Sequence, residues 1–304
     1  MTRSSRAQNS QNSDKLKYLL VIVNCMIIAV SDVHLGEDGY QEQDKQFSSF
    51  LDYTKDTLLK GGGDFVLLGD IFDFWRMDSV EILEAYKDII SKLISFPNDI
   101  KVHYIIGNHD YYIGEIPEYF SEKPFEDLCM NKVVNDKKCF RFIHGYQLEV
   151  MANPYTKDMK LYESLAEQLS YHPAITSHAA SGIWHVITSI IQHEGKYISS
   201  MKKNPSSRLS GEHKSEDKIK TIAKSEVRQL LLGGTFDWLV YGHTHQPYCD
   251  KKSKTINTGS WGRNQEPNKM WFLKIRDGEP ELISWPELVP WVPQQKKGGR
   301  KKGG

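Results

Sequence analysis

Cysteine is scarce in this chain: four in 304 residues, Cys25, Cys129, Cys139 and Cys249, with no CxxC pair and no regular spacing. That excludes a Cys-rich structural metal site and, at this length, a disulfide framework; reduced thiols of a cytoplasmic protein are the simpler reading. Net charge is absent as well, since 39 Lys plus Arg balance 39 Asp plus Glu. No molecule-wide positive field exists to recruit nucleic acid, and only local basic patches could serve. A bilayer-spanning run is missing too. YLLVIVNCMIIAV, residues 18–30, is too short to cross a membrane comfortably. No small-residue cleavage site follows it, so the basic, polar MTRSSRAQNSQNSDKLK before it, though it resembles the start of a signal peptide, is not expected to be one. The run passes straight into SDVHLG, and residues 1–25 are expected to be an extension, with translation starting at Met26. No internal repeat is present.

What is present is an ordinary globular composition, 39% hydrophobic and 26% charged, in a chain long enough for one large domain or two modest ones. MIIAVSD, FVLLGD and KVHYIIGNHD are short apolar runs that predict buried strands. Between them, Lys45 to Lys60 and Val80 to Ile94 carry apolar residues at helical spacing, the first stopped by Gly61–Gly63. CFRFIHG, FDWLVYGH, KTINTGS and MWFLKIRDG predict a second set of strands packed behind the first. The expected fold class is α/β (α+β), a two-sheet core flanked by helices. From Met151 the character changes. Leu161, Leu165 and Leu169 line one helical face and Ile183, Ile187, Ile190 and Ile191 another, followed by a polar loop from Lys202 to Lys218 and a helix from Ile219 to Leu232. The expected organisation is a core of residues 26–150 and 229–285, a helical insertion at 151–228, and a basic tail at 286–304.

Five of the predicted strands end in polar residues of one chemical type. SDVHLG supplies Asp32 and His34, GDIFD supplies Asp70 and Asp73, and GNHD supplies Asn108, His109 and Asp110. HG supplies His144, and GHTH supplies His243 and His245. Ligands of α/β sheets gather outside the carboxyl ends of strands. Two aspartates, one asparagine and four histidines, without a thiolate, suit borderline or hard divalent ions. Seven donors exceed the need of one tetrahedral ion. One carboxylate shared between two ions roughly 3.5–4 Å apart gives each four protein ligands, an arrangement suited to phosphoryl displacement. Each motif alone has a bland reading as a cap, turn or surface histidine; the five in this order do not.

In this order D-x-H, GDxxD, GNHD, HG and GHTH resemble the signature of the calcineurin-like metallophosphoesterase superfamily, over about Met26 to Gly145 and Phe236 to Gly278. The resemblance implies a two-sheet β-sandwich flanked by helices. It also implies a hydrolase in which a hydroxide held between two divalent ions, manganese first and iron or zinc next, attacks phosphorus. Asp32, His34, Asp70 and His245 would hold one ion, and Asp70, Asn108, His144 and His243 the other. His109 would contact the phosphate and protonate the leaving oxygen, with Asp110 orienting its ring. Asp73 would stand behind the ligands or be a turn carboxylate.

GDIFDFW, GHTHQP and the helical insertion are similar to the UDP-2,3-diacylglucosamine pyrophosphohydrolase branch, where the insertion lids acyl chains; Trp75 and Trp184 would then lie near the pocket. The implied partner is a phosphoester or a lipid-linked nucleotide. In that branch's pattern an arginine stands where this chain has His109. GNHD is the phosphodiesterase and nuclease form, so a nuclease or cyclic-nucleotide phosphodiesterase is the alternative. Nucleic acid is the less favoured partner, because Lys202, Lys203, Lys214, Lys218 and Lys220 are scattered. The basic tail and apolar N-terminal run would allow peripheral membrane contact but no span. His172, His178, His185 and His193 read as surface residues. A non-catalytic scaffold on this fold is the alternative of another class, against which all seven donors and His109 are intact.

Overall fold

The computed structural model describes residues 26–37, 41–115, 127–129, 131–135, 137–152, 159–171, 217–261 and 269–293. Strand β1 (Met26–Val30) is apolar at every position and buried throughout. Its alternate residues serve opposite faces: Ile28 and Val30 join one core cluster, Ile27 and Ala29 another. Strands β2 (Gly63–Leu68), β3 (Ile100–Ile105) and β4 (Asp127–Cys129) extend the sheet in parallel on one side. Strands β10 (Met270–Arg276) and β11 (Glu279–Trp285) close the other side antiparallel, giving the order β11-β10-β1-β2-β3-β4. A second sheet runs β5-β6-β7-β9-β8, built from β5 (Asn131–Asn135), β6 (Cys139–Ile143), β7 (Trp238–Tyr241), β8 (Tyr248–Asp250) and β9 (Thr255–Asn257).

The layers meet on apolar side chains from both sheets. Ile27, Val66 and Leu68 pack with Phe140, Phe142 and Val240. Each such side chain contributes about 1.5–3 kcal/mol by leaving water. Helices α1 (Gln41–Leu58), α2 (Ser79–Ala85) and α3 (Lys87–Ile94) cover the far face of the first sheet through Phe47, Phe50, Leu51, Ile82, Ile90 and Leu93. The two mixed sheets with flanking helices are the expected architecture.

The Lys45–Lys60 segment is one helix, α1, whereas two other segments expected as single helices are broken. The Val80–Ile94 segment divides at Tyr86 (φ −110°, ψ 18°), whose hydroxyl accepts a hydrogen bond from the Gly36 amide at 2.9 Å. That tie to the loop after β1 is a tertiary constraint. The Ile219–Leu232 segment forms α6 over 217–224 and α7 (Val227–Leu232). Between them, Ser225 Oγ donates to the Ile222 carbonyl at 2.8 Å and Arg228 Nη1 to the Ala223 carbonyl at 2.9 Å, ending α6. Residues 217 and 218, expected in a loop, are already helical. Two helices lie near the insertion's expected start. Helix α4 (Tyr146–Ala152), not expected, runs across position 151, and α5 (Met159–Tyr171) follows. Position 228, the insertion's expected end, lies inside α7.

Residues 286–293, expected in the tail, return along β11: the Trp291 amide donates to the Leu282 carbonyl at 2.7 Å. The isoleucine face at 183–191, Trp184, the loop lysines before 217 and residues 294–304 lie outside the described residues, as do 1–25. No helix among the described residues is long and apolar enough to cross a membrane.

Candidate metal centre

The loops that leave β1, β2, β3, β6 and β7 converge at one end of the sandwich. Backbone bonds draw the first two together: the Asp32 amide donates to the Gly69 carbonyl at 3.0 Å, and the His34 amide to the Asp70 carbonyl at 2.9 Å. A third bond crosses between sheets, from the His243 amide to the Asp32 carboxylate at 3.0–3.1 Å. Among the described residues, eight non-glycine positions have positive φ, and five of them are Asp32, His34, Asp70, His243 and His245. Left-handed backbone costs such residues on the order of 1–3 kcal/mol each and persists where surroundings over-determine it. Gly107 is required for close approach, since a Cβ there would collide with the Asp70 carboxylate. A Cβ on Gly69 would strike the His144 ring.

Two groups of donors result. In the first, His245 Nε2 lies 3.2 Å from Asp32 Oδ1 and 3.4 Å from His34 Nε2. The second gathers Asp70, His144 and His243, with the His144 and His243 rings 5.2 Å apart. His144 Nε2 is 3.1 Å from Asp70 Oδ2 and 4.0 Å from Asp32 Oδ1, so the groups adjoin. Asn108 is carried in beside them, because the His109 amide donates to Asp70 Oδ1 at 2.8 Å.

Burial and tautomer logic test whether these residues fit divalent ions. Asp32, Asp70, Asn108 and His144 are all buried, and Asn108 Oδ1 has no hydrogen-bond partner. His144 Nδ1 donates to the Leu68 carbonyl at 2.9 Å. In a neutral ring that leaves Nε2 as a lone pair aimed at Asp70 Oδ2, which also only accepts. Two facing acceptors need a proton or a cation between them. Burial opposes charge on His144, yet Asp70 and Asp32 push its pKa up to about 10. Burial would raise both carboxylates, but His245 and His144 hold Asp32, and His144 and His109 hold Asp70, below the ordinary range. Burial keeps His34 below the usual histidine value. An orphaned amide oxygen, carboxylates that stay ionised and imidazoles with outward lone pairs are what hard or borderline cations require.

His109 stands beside this cluster, its ring 4.8 Å from that of His34 and stacked on Trp75 at 3.9 Å. Its Nδ1 lies 2.9 Å from Asp73 Oδ1, so Asp73 orients it. This corrects the expectation for Asp110. Asp110 accepts from the Gly107 amide at 2.6 Å, the Ile71 amide at 2.9 Å and the Tyr104 hydroxyl at 2.5 Å. Those bonds pin the loop and leave the carboxylate in a buried place, where burial pushes its pKa up to about 6. Asp73, by contrast, is buried between two histidines: its second oxygen lies 3.4 Å from His34 Nδ1 and 3.3 Å from Arg76 Nε. That contact to His34 is at ion-pair distance without hydrogen-bond alignment. Despite burial, His109 and His34 draw Asp73 down to about 2. Burial opposes charge on His109, but Asp73 and Asp70 outweigh it and raise its pKa.

Residues 26–247 match the family described as calcineurin-like phosphoesterase. This chain belongs to that family. It is a phosphoesterase enzyme, and the scaffold alternative falls. Among its curated relatives, the UDP-2,3-diacylglucosamine hydrolase of Shewanella sp. (strain W3-18-1) is 25% identical over 242 residues, covering 76% of this chain and 87% of the relative. That of Blochmanniella pennsylvanica (strain BPEN) is 25% identical over 271 residues, covering 82% and 96%. Among solved structures, the phosphoesterase Yfce from E. coli aligns with TM-score 0.44 and 12% identity over 88% of this chain and 97% of that one. In this phosphoesterase two residues near the donors were not anticipated. Glu149 lies 2.9 Å from His243 Nε2, and Tyr162 donates to Glu149 at 3.0 Å. A lone Glu five positions after His144 carries no periodic signal, and its approach depends on helix α4.

Proposed function

We propose that this phosphoesterase hydrolyses a phosphodiester or pyrophosphate bond with two divalent ions, manganese first. One ion would be held by Asp32, His34, Asp70 and His245, the other by Asp70, Asn108, His144 and His243. The observation that carries the reading is the adjoining of two largely buried donor groups, Asp32–His34–His245 and Asp70–His144–His243, with His109 alongside on a separate carboxylate. Bound ions would lower the pKa of a water and neutralise charge on nonbridging oxygens.

The remaining steps belong to the chain. Asp73 accepts from His109 Nδ1, which fixes the ring and leaves Nε2 to face the substrate. Its raised pKa keeps a proton at Nε2 near neutral pH, ready for the leaving oxygen. Trp75, itself buried, covers one face of that ring and keeps water off it. A nucleotide-linked lipid is the preferred substrate class, because the named relatives act on UDP-2,3-diacylglucosamine and align over 87–96% of their lengths. A general phosphodiesterase or nuclease is the second reading, favoured by His109 in place of that branch's arginine. A cytoplasmic setting suits the free thiols of Cys139 and Cys249.

A turnover screen with Mn²⁺ separates these readings, using UDP-2,3-diacylglucosamine, bis-nitrophenyl phosphate, cyclic nucleotides and single-stranded DNA. Preference for the pyrophosphate supports the first reading; preference for DNA or a cyclic diester replaces it with the second. No turnover of any of them rejects both.

A further inference from the structure

Helix α4 starts two residues after His144 and carries Glu149 to His243 of the second donor group. Glu149 Oε2 meets His243 Nε2 at 2.9 Å and accepts from the Tyr162 hydroxyl at 3.0 Å. Glu149 is 19% exposed and His243 13%, while Tyr162 is buried. Tyr162 belongs to α5, and its ring stacks on Tyr146 of α4 with centroids 5.3 Å apart and planes 7° from parallel. The Tyr146 hydroxyl in turn donates to Glu163 Oε1 at 3.2 Å, a second tie between the helices. The contact is therefore held from both helices.

A carboxylate only accepts, so His243 Nε2 carries the hydrogen and Nδ1 keeps its lone pair. Nδ1 is then the nitrogen left to ligate an ion, and carboxylates commonly fix a ligating imidazole through its other nitrogen in this way. We propose that Glu149 is the positioning residue of the second metal subsite. It fixes the tautomer and ring of His243, and through Tyr162 it couples ion affinity there to the docking of α5. This inference rests on the dimetal reading. It goes beyond it by making the insertion's first helix a determinant of one ion and not of the other.

The test is a Mn²⁺ titration of the purified full chain, read by electron paramagnetic resonance of the free ion. The unaltered chain should bind two ions. Glu149→Ala should leave one site unchanged and weaken the other by about 10- to 100-fold. Tyr162→Phe should weaken the same site by less. Glu149→Gln, which still offers Nε2 an acceptor, should recover part of the affinity lost in Glu149→Ala. A Glu149→Ala chain with unaltered affinity at both sites, or with both weakened equally, overturns the proposal. If Glu149→Ala fails to fold by circular dichroism, Tyr162→Phe and Glu149→Gln decide, and unaltered affinity in both overturns it. An unaltered chain that takes up no Mn²⁺ rejects the dimetal reading itself, before any substitution is compared.

Discussion

His109 and Asp73 form a pair in which each depends on the other's charge. Replacing His109 by Ala removes the proton at Nε2 but none of the seven donors, so bound Mn²⁺ should be retained. Turnover should fall by about 10²- to 10⁴-fold, the range for a positioned acid. The loss should be larger for poor leaving groups than for nitrophenol; equal loss on both would reject the acid role. Asp73→Asn keeps the shape but removes the charge that raises His109. The His109 pKa should then drop, and the alkaline limb of the kcat profile should move to lower pH. A limb that stays in place would assign it to another group. At this scale the sequence named side chains that the fold brings together, but not which partner each one has. GNHD put Asp110 next to His109, yet adjacent residues point apart. GDIFD gave no hint that Asp73 would reach residue 109, because that contact is made between two loops.

The strand ends carry the site, and strands were the most legible elements. A continuous apolar run followed by a glycine and a donor signals a buried strand and its functional end together, as in FVLLGD and the run closing on GNHD. Helix breaks at Tyr86 and Ser225 were not legible, since they arise from bonds to Gly36 and from Arg228. Helix α4 and the short strands β4 and β8 are also absent from the pattern; three residues cannot show a period. The glycines in these turns give a prediction of their own. Gly107→Ala would push the Asp70 carboxylate out of place. A displacement on the order of 1 Å should lower turnover by about 10²-fold. Far-UV circular dichroism should be unchanged. Full activity would show that the loop can yield.

The whole molecule links protonation to folding with opposite signs in its two metal states. With ions chelated, the raised His144 pKa means its proton stabilises the fold fully below the ordinary histidine value of about 6.5. That contribution is lost as pH climbs through about 10. Saturating Mn²⁺ reverses the trend, because donors must be deprotonated to bind. Melting temperature should therefore fall with chelator, and rise with Mn²⁺, between pH 6 and pH 8.5. Parallel trends in both would contradict the assignment of His144. The two-sheet architecture was legible from its buried apolar runs, but MWFLKIRDG, expected in the second set, forms β10 beside β1 in the first sheet, because a long-range antiparallel pairing leaves no local signal. Asp32 is fastened to both layers at once, by its amide to Gly69 and by its carboxylate to the His243 amide. Sliding one layer past the other by even a fraction of a strand spacing would unseat it. Shear and catalysis are thus mutually exclusive here, and a force pulling the layers in opposite directions would silence the enzyme well before it unravelled.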